Sequence, residues 1–257
     1  MLHTWQSFII VVLIVAASLL FTRVLNRLWP PQQRSAHNDL IGWQLSVLGT
    51  TYAVILGFML YTVWTDFGLA TLNADNEANA LGNVYRLAAG LPDPQRQQLK
   101  TLARAYADAI INQDWPEMDA DRLPEATHNV NQQMWDTLMS IKNSSPTEII
   151  AEDHALYELS ALTEHRRLRL VQFAFRLPAV LWCVLIFGAV LTVVSAAMFG
   201  SANQSLHTLQ VVSFSLLVAL VLVAIADIDR PFQGSVHVSD FAFRRAQQNM
   251  KDQAQPR

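Results

Sequence analysis

Residues 1–22, 40–65 and 177–226 contain no Asp, Glu, Lys or Arg, so all 18 basic and 21 acidic residues lie elsewhere in the 257-residue chain. Outside those stretches the charged fraction is about 25%, the level of an ordinary soluble domain. The overall 15% is therefore a mean over two materials, and a simple globular enzyme is not expected. A helix needs about 20 mostly apolar residues to cross the roughly 30 Å hydrocarbon core of a bilayer. The first run supplies a span at about 8–28, framed by Trp5 and Trp29, and the second one at about 44–63, framed by Trp43 and Trp64. Trp favours the headgroup level, where its apolar ring and its N–H are both accommodated. The third run is too long for one crossing. It breaks at Gly200-Ser201-Ala202-Asn203-Gln204-Ser205, giving spans at about 178–199 and 206–226.

The expected fold is an all-α membrane protein with four transmembrane helices, two plus two, and a helical domain inserted between the second and third spans. The expected divisions are 1–65, 66–176, 177–227 and 228–257. The first segment does not read as a cleaved signal peptide, because its basic residues, Arg23 and Arg27, follow the apolar stretch instead of preceding it. Four crossings put both termini and residues 66–176 on one side. Near the membrane that side carries Arg166, Arg167, Arg169, Arg176, Arg230, Arg244 and Arg245, against Arg23, Arg27 and Arg34 on the other. The excess of Arg predicts that the domain and both tails are cytoplasmic, in a plasma (inner) membrane protein. The single Cys183 lies within a span, so no intramolecular disulfide forms, in keeping with a reducing compartment.

Residues 66–176 hold 10 basic and 16 acidic side chains, and an acidic domain without a basic stripe argues against nucleic acid. Apolar residues recur at three- and four-residue steps, which predicts helices throughout. One helix continues from the second span to Gly90-Leu91-Pro92. The next opens at Asp93-Pro94, with Pro94 at the first helical position, and runs to Trp115-Pro116. A third starts near Pro124. A fourth begins with the capping box Ser145-Pro146-Thr147-Glu148 and meets no breaker before Pro178, so it is expected to lead into the third span without interruption. Helices continuous with spans would couple the motions of domain and membrane bundle.

Two stripes of small residues repeat every four positions: Gly49, Ala53 and Gly57 in the second span, and Gly188, Thr192, Ala196 and Gly200 in the third. Lipid gives helices no hydrophobic reason to associate, so small faces that permit close packing take that role. Packing within the chain and a surface for oligomer contact or pore lining are both open readings of these stripes.

No catalytic constellation is found, and the chain is not expected to be an enzyme. The nine glycines are dispersed, without the spacing that cradles phosphates. One cysteine excludes a thiolate zinc cluster, and no cofactor or metal is expected. Ser35, His37 and Asp39 are triad types crowded into a short loop with no scaffold to orient them. His154, Glu158 and His165 share a helix face at offsets of 4 and 11, which metal ligands require, but a solvated polar face explains them as well. Apart from Arg23 and Arg27 in the last part of the first span and His207 at an edge of the fourth, no Asp, Glu, Lys, Arg or His lies within the spans. That argues against a proton-coupled transporter or a voltage sensor, which keep such groups at membrane depth.

Three blocks carry a resemblance: Asp227-Ile228-Asp229-Arg230-Pro231-Phe232-Gln233-Gly234-Ser235-Val236-His237-Val238-Ser239; Glu77-Ala78-Asn79-Ala80-Leu81 through Arg86 to Leu91-Pro92-Asp93-Pro94; and Asp114-Trp115-Pro116-Glu117-Met118. Over nearly all of residues 40–245 the chain resembles the family of bestrophin-like integral membrane proteins. Through that name it is similar to bestrophins, pentameric anion channels with four spans per subunit, a helical cytosolic portion and a narrow apolar neck. Pro231-Phe232-Gln233-Gly234 resembles the Pro-Phe-Gly after the last bestrophin span, with Gln233 as an extra residue. No ion-binding role is carried over beyond noting Asp227 and Asp229 as acids at the matching membrane edge.

Residue chemistry gives that motif a junction role. Arg230 is expected to pair with Asp227 or Asp229, Pro231 to stop the helix, Phe232 to wedge against the domain, and Gly234 to turn the chain. An end-of-span anchor with no ligand fits the same residues. Glu77 and Arg86 are the matching candidates in the first domain helix. Two functions follow as expectations. One is a homo-oligomeric pore in the lipid bilayer, a ring of about five by the resemblance, with anions the expected permeant ions. The other is a membrane-anchored interaction or sensor module that docks a cytoplasmic protein partner through its acidic helices.

Overall fold

The computed structural model describes residues 4–142 and 145–253. Its longer helices are α1 (Thr4–Leu28), α2 (Asn38–Leu87), α3 (Gln95–Ala109), α4 (Ala126–Met139), α5 (Pro146–Ala174), α6 (Ala179–Ala197), α7 (Gln204–Ile228) and α8 (Phe241–Asp252), and no strand occurs among the described residues. Four helices, beginning at Trp5, Pro31, Ala179 and Gln204, are long and apolar enough to cross a membrane. The chain separates into two compact units with boundaries at 65/66, 175/176 and 229/230.

The apolar unit comprises residues 4–65 and 176–229 among those described. Its small core holds Tyr52, Leu56, Val63, Leu185, Val218 and Ile225, while Phe8, Leu13, Leu20, Trp43, Phe58, Trp64 and Phe187 stand exposed on its outside. An apolar exterior of this kind is stable only against hydrocarbon. Several buried polar groups inside the unit find partners within it. The Ser18 hydroxyl meets Ser215 at 3.0 Å, Thr22 donates to the Ser18 carbonyl at 2.8 Å, and Tyr52 donates to the Leu185 carbonyl at 2.9 Å. Asn203 caps α7 by accepting from the Leu206 N–H at 3.1 Å, which ends the hairpin turn where the polar run 200–205 predicts it.

The second unit comprises residues 66–175 and the C-terminal segment from 230. Its core gathers one face of each helix: Leu81, Val84 and Tyr85 from α2, Leu99 and Tyr106 from α3, Met134 and Leu138 from α4, Leu159, Leu162 and Phe173 from α5, and Phe243 from α8. At α5 the capping box forms as expected. Ser145 N–H donates to Glu148 at 2.7 Å, and the Glu148 N–H donates to the Ser145 hydroxyl. The Ser145 N–H holds the Glu148 carboxyl below its ordinary value, so this contribution is complete above the unfolded value near about 4.3 and disappears as pH falls through the depressed one. Amides in the first turn of α5 should therefore keep their exchange protection at neutral pH and lose it in acid. A Glu148→Gln chain, which has no carboxylate to titrate at this position, should show no such pH step, and equal protection of the wild type in acid and at neutrality would rule the effect out.

The fourth domain helix corrects one expectation. It ends at Ala174, and Phe175 is extended at φ −68°, ψ 138°, so it does not run on into the third span. The residue before a proline is disfavoured in the helical region. Leu177 precedes Pro178, and its N–H turns to the Asp229 carboxylate at 3.0 Å, so the helical ladder stops. A smaller correction falls at α3, which starts at Gln95 with Pro94 as its cap. It also stops at Ala109, where a π-turn, Ile110–Asp114, carries the chain to a short helix, Trp115–Asp119.

Candidate functional site

The three sequence blocks of the resemblance meet in the core of the second unit. Glu77 comes from α2, Asp114, Trp115 and Met118 from the π-turn and the short helix, and Phe232, Gln233 and Val238 from the C-terminal segment. At the centre lies Arg169 of α5, fully buried. Its guanidinium donates to Glu77 Oε2 at 2.8 Å, to Glu77 Oε1 at 3.1 Å and to Asp114 Oδ2 at 3.2 Å, and its Cζ lies 5.6 Å from the centroid of the Trp115 ring. Tyr106 donates to Glu77 Oε1 at 2.7 Å, Thr127 to Asp114 Oδ2 at 2.7 Å, and Arg166 to the Thr127 hydroxyl at 2.9 Å. Burial, and then the Glu77 carboxylate, push the Tyr106 hydroxyl well above its usual value, so it stays a donor. Burial alone would lower Arg169, yet Glu77, with Tyr106 and Asp114, holds it above its ordinary value. A buried charge persists only when paired and hydrogen-bonded in this way.

The C-terminal motif seals this hub. Phe232 is 2% exposed and meets Trp115 edge-on, with ring centroids 5.6 Å apart at 88°, while the Trp115 indole N–H donates to the Val238 carbonyl at 3.1 Å. Gln233, the residue extra to the bestrophin pattern, is buried and donates to the Met118 carbonyl at 3.0 Å and to Asp121 at 2.7 Å. Arg230 lies 3.2 Å from Gln233 Oε1 and 3.9 Å from Asp121 Oδ2, partners that sequence proximity to Asp227 and Asp229 did not suggest. Gly234 takes φ 81°, a left-handed conformation open to glycine without strain, and Pro231 stands two residues beyond the α7 cap, Asp229. Asp227 is half-buried in the last turn of α7, and Asp229 holds the Leu177 N–H. Arg86 is exposed on α2 and bonds Asn83.

The two small-residue stripes have different surroundings. On α6 a methyl group added to Gly188 would lie 2.6 Å from the Tyr52 ring, and one on Gly200, in the turn after α6, would lie 2.4 Å from the Ser35 nitrogen. Thr192 is buried and donates to the Gly188 carbonyl at 2.6 Å. The Ala196 carbonyl lies 3.3 Å from the His207 ring, and the neighbouring Ala197 carbonyl accepts from buried Arg34 at 2.8 Å. This stripe is a packing seam of the chain itself. On α2, by contrast, a methyl group at Gly49 or Gly57 would meet no atom within 4 Å, and Ala53 is exposed.

The remaining candidates stay apart. The Ser35 hydroxyl donates to the Gln32 carbonyl at 2.7 Å, and the His37 ring lies 6.0 Å from Trp29, so no triad assembles with Asp39. His154 is exposed, and His165 lies 3.2 Å from Asn73. Among the described residues no group of three or more His, Cys, Asp or Glu is placed to hold a metal. Arg169 and Tyr106, the centre of the hub, escaped sequence reasoning. An Arg in a run of three, Arg166-Arg167-Leu168-Arg169, reads as a membrane-edge cation, and only its place on the apolar face of α5 with Leu159 and Leu162 distinguishes it.

The bestrophin-like domain matches residues 12–243, and the chain belongs to that family. Its fold recurs in solved proteins. A bacterial bestrophin homologue from Klebsiella pneumoniae, crystallised as a point variant, superposes with a TM-score of 0.66 at 14% identity, covering 94% of this chain and 96% of that one. A second variant of such a homologue from the same organism gives 0.66 at 12% identity over 98% and 100% of the two chains. A further crystal structure, described only as a membrane protein, gives 0.69 at 13% identity over 96% and 99%. No curated protein matches the sequence. The four apolar helices and the family together make this an integral membrane protein.

Proposed function

We propose that the protein is a homo-oligomeric pore of the bestrophin type that conducts anions. In this reading its spans are arranged two plus two, and residues 66–176 and both termini are cytoplasmic. The observation that carries the proposal is the open face of α2. On this apolar helix a methyl group added to Gly49 or Gly57 would meet no atom within 4 Å beyond the neighbouring helix backbone, and Ala53 is exposed, whereas the space at Gly188 and Gly200 in the other stripe is filled by Tyr52 and the Pro31–Ser35 turn. A small-residue face in a membrane helix is suited to another copy or to a water-filled path. The charge-free spans agree with an apolar constriction, and the bestrophin resemblance supplies the ion class and a ring of about five subunits. The second unit, closed by its buried hub, would then serve as the rigid cytoplasmic part of each subunit.

Purified protein in planar bilayers should give unitary currents carried by anions, and particle images should show a closed ring. Gly57→Leu should reduce the current sharply while leaving the unfolding of each subunit unchanged. A monomer that is electrically silent would refute the pore and leave the docking module, in which case residues 91–145 should be needed to capture a cytoplasmic partner.

A further inference from the structure

Within the second unit, α2 and α8 border a groove of about 340 Å³, a volume in the range of small-molecule sites. The Tyr85 hydroxyl of α2 donates to the Met250 carbonyl of α8 at 3.1 Å, which sets the register of the two helices. Asp75, Asn79 and Arg86 form the α2 wall, and Arg245, Asn249 and Gln253 form the α8 wall. Steps of four and seven keep each set on one helix face. The floor is small and apolar: Ala78, Ala246 and Met250 are buried, and a methyl group at Gly82 would meet nothing within 4 Å. The polar side chains above it are free. On the rest of α8, Arg244 pairs with Asp240 at 2.6 Å, Lys251 donates to Gln247 at 3.2 Å, and Gln248 donates to Asp252 at 2.8 Å. The side chains of Asp75, Asn79, Arg245, Asn249 and Gln253, by contrast, have no hydrogen-bond or ion-pair partner among the described residues. Arg86 bonds Asn83 and keeps its other donors for the groove.

The charge pattern selects the ligand. Two guanidiniums present the forked donors that carboxylates and phosphates accept. They stand on opposite walls, Arg86 next to Tyr85 and Arg245 five residues before Met250. At 1.5 Å per residue that offsets the two cations by about 7 Å along the helices. Two carboxylates joined by a short hydrocarbon spacer meet both cations and cover the apolar floor between them. A lone phosphate would engage one wall and leave the floor bare. Asp75 further disfavours highly charged anions, because like charges brought together repel. An acyl chain is ruled out as well, since it would strip water from these polar walls and give them no partner. A cavity of about 150 Å³ holds a six-carbon ring, so the groove admits roughly ten to thirteen non-hydrogen atoms. We propose that the groove between α2 and α8 binds a small dicarboxylate, with one carboxylate on Arg86 and the other on Arg245. The site lies wholly in the second unit and is independent of the pore.

Isothermal titration of the full-length protein in detergent, with glutarate as the probe, tests this. Saturable binding of one glutarate per chain is expected, at least tenfold tighter than that of butyrate or inorganic phosphate. Arg86→Ala and Arg245→Ala should each weaken it at least tenfold, and Gly82→Leu, which fills the groove, should abolish it. Arg86 and Arg245 are exposed, so their variants should unfold with the wild type. Equal affinity for butyrate or phosphate, or binding that survives both arginine changes, would overturn the proposal. A wild type that gives no glutarate heat would also overturn it, and dissociation of Gly82→Leu into smaller species would then assign the groove to a second copy of the chain. Should the variants misfold, the wild type alone decides: glutarate should slow phenylglyoxal modification of Arg86 and Arg245 several-fold, and unchanged modification refutes the site.

Discussion

Glu77→Ala is expected to destabilise the second unit by about 3–5 kcal/mol, the loss that follows when one partner of a buried ion pair is removed. Glu77 supplies both short contacts to Arg169, and the two side chains are fully buried. Without Glu77 the guanidinium keeps Asp114 at 3.2 Å and the weakly accepting sulfur of Met118 at 3.6 Å, and Tyr106 loses its acceptor. The unfolding midpoint of the purified chain should fall by on the order of 10 °C. Arg169→Met should cost a similar amount, because it buries Glu77 beside Asp114 with no cation between them. The double change Glu77→Leu with Arg169→Met should recover much of the loss, since apolar residues of similar size often replace a buried pair without penalty. Recovery should be incomplete, because Asp114 then keeps only Thr127 among the hub partners that hold it. A Glu77→Ala chain that melts with the wild type would remove the hub from any account of the fold.

The next largest effect is expected at the α6 seam. Gly188→Ala would place a methyl group 2.6 and 2.7 Å from two carbons of the Tyr52 ring, and that ring is tethered by its hydroxyl to the Leu185 carbonyl. Overpacking of this kind costs about 1–3 kcal/mol. Gly200→Ala should be worse, because the atoms in the way are backbone, the Ser35 nitrogen and the Pro31 carbonyl oxygen, and backbone cannot rotate aside. Gly49→Ala is the contrast, since nothing of its own chain stands near. Thermal unfolding in detergent should rank these as Gly200→Ala, then Gly188→Ala, then Gly49→Ala close to wild type. Combining Tyr52→Ala with Gly188→Ala should remove the clash, and their energies should then fail to add. Additive losses would mean that Tyr52 is not what the methyl group strikes. If α2 faces another copy, Gly49→Ala should weaken assembly while leaving subunit unfolding in place, a separation that the α6 variants cannot show.

Much of this architecture was legible in the residues because its signals are local. The helix that begins in the second span ends within residues 88–90, and α5 opens on its capping box, because backbone conformation and capping depend on neighbours a few positions away. The hub was only half legible. Its Glu77, Trp115 and Phe232 belong to recognisable blocks, but Arg169 stands 92 positions from Glu77, and no local rule pairs them. The end of α5 at Ala174 was hidden for a related reason: Leu177 finds Asp229, 52 positions away, and that contact replaces a helical hydrogen bond.

Composition along the chain settled the material each segment suits, because the cost of placing a residue in hydrocarbon or in water belongs to that residue and sums along a span. The charge-free runs thus set four apolar helices and the positions of their breaks. Folding assigned the partners. Two stripes of the same spacing diverged, one filled by Tyr52 and the Pro31–Ser35 turn and the other left open on α2, because what a small residue accommodates depends on which distant segment is brought against it. The same holds for Arg169, whose buried charge is tolerable only where Glu77, Asp114 and Tyr106 converge.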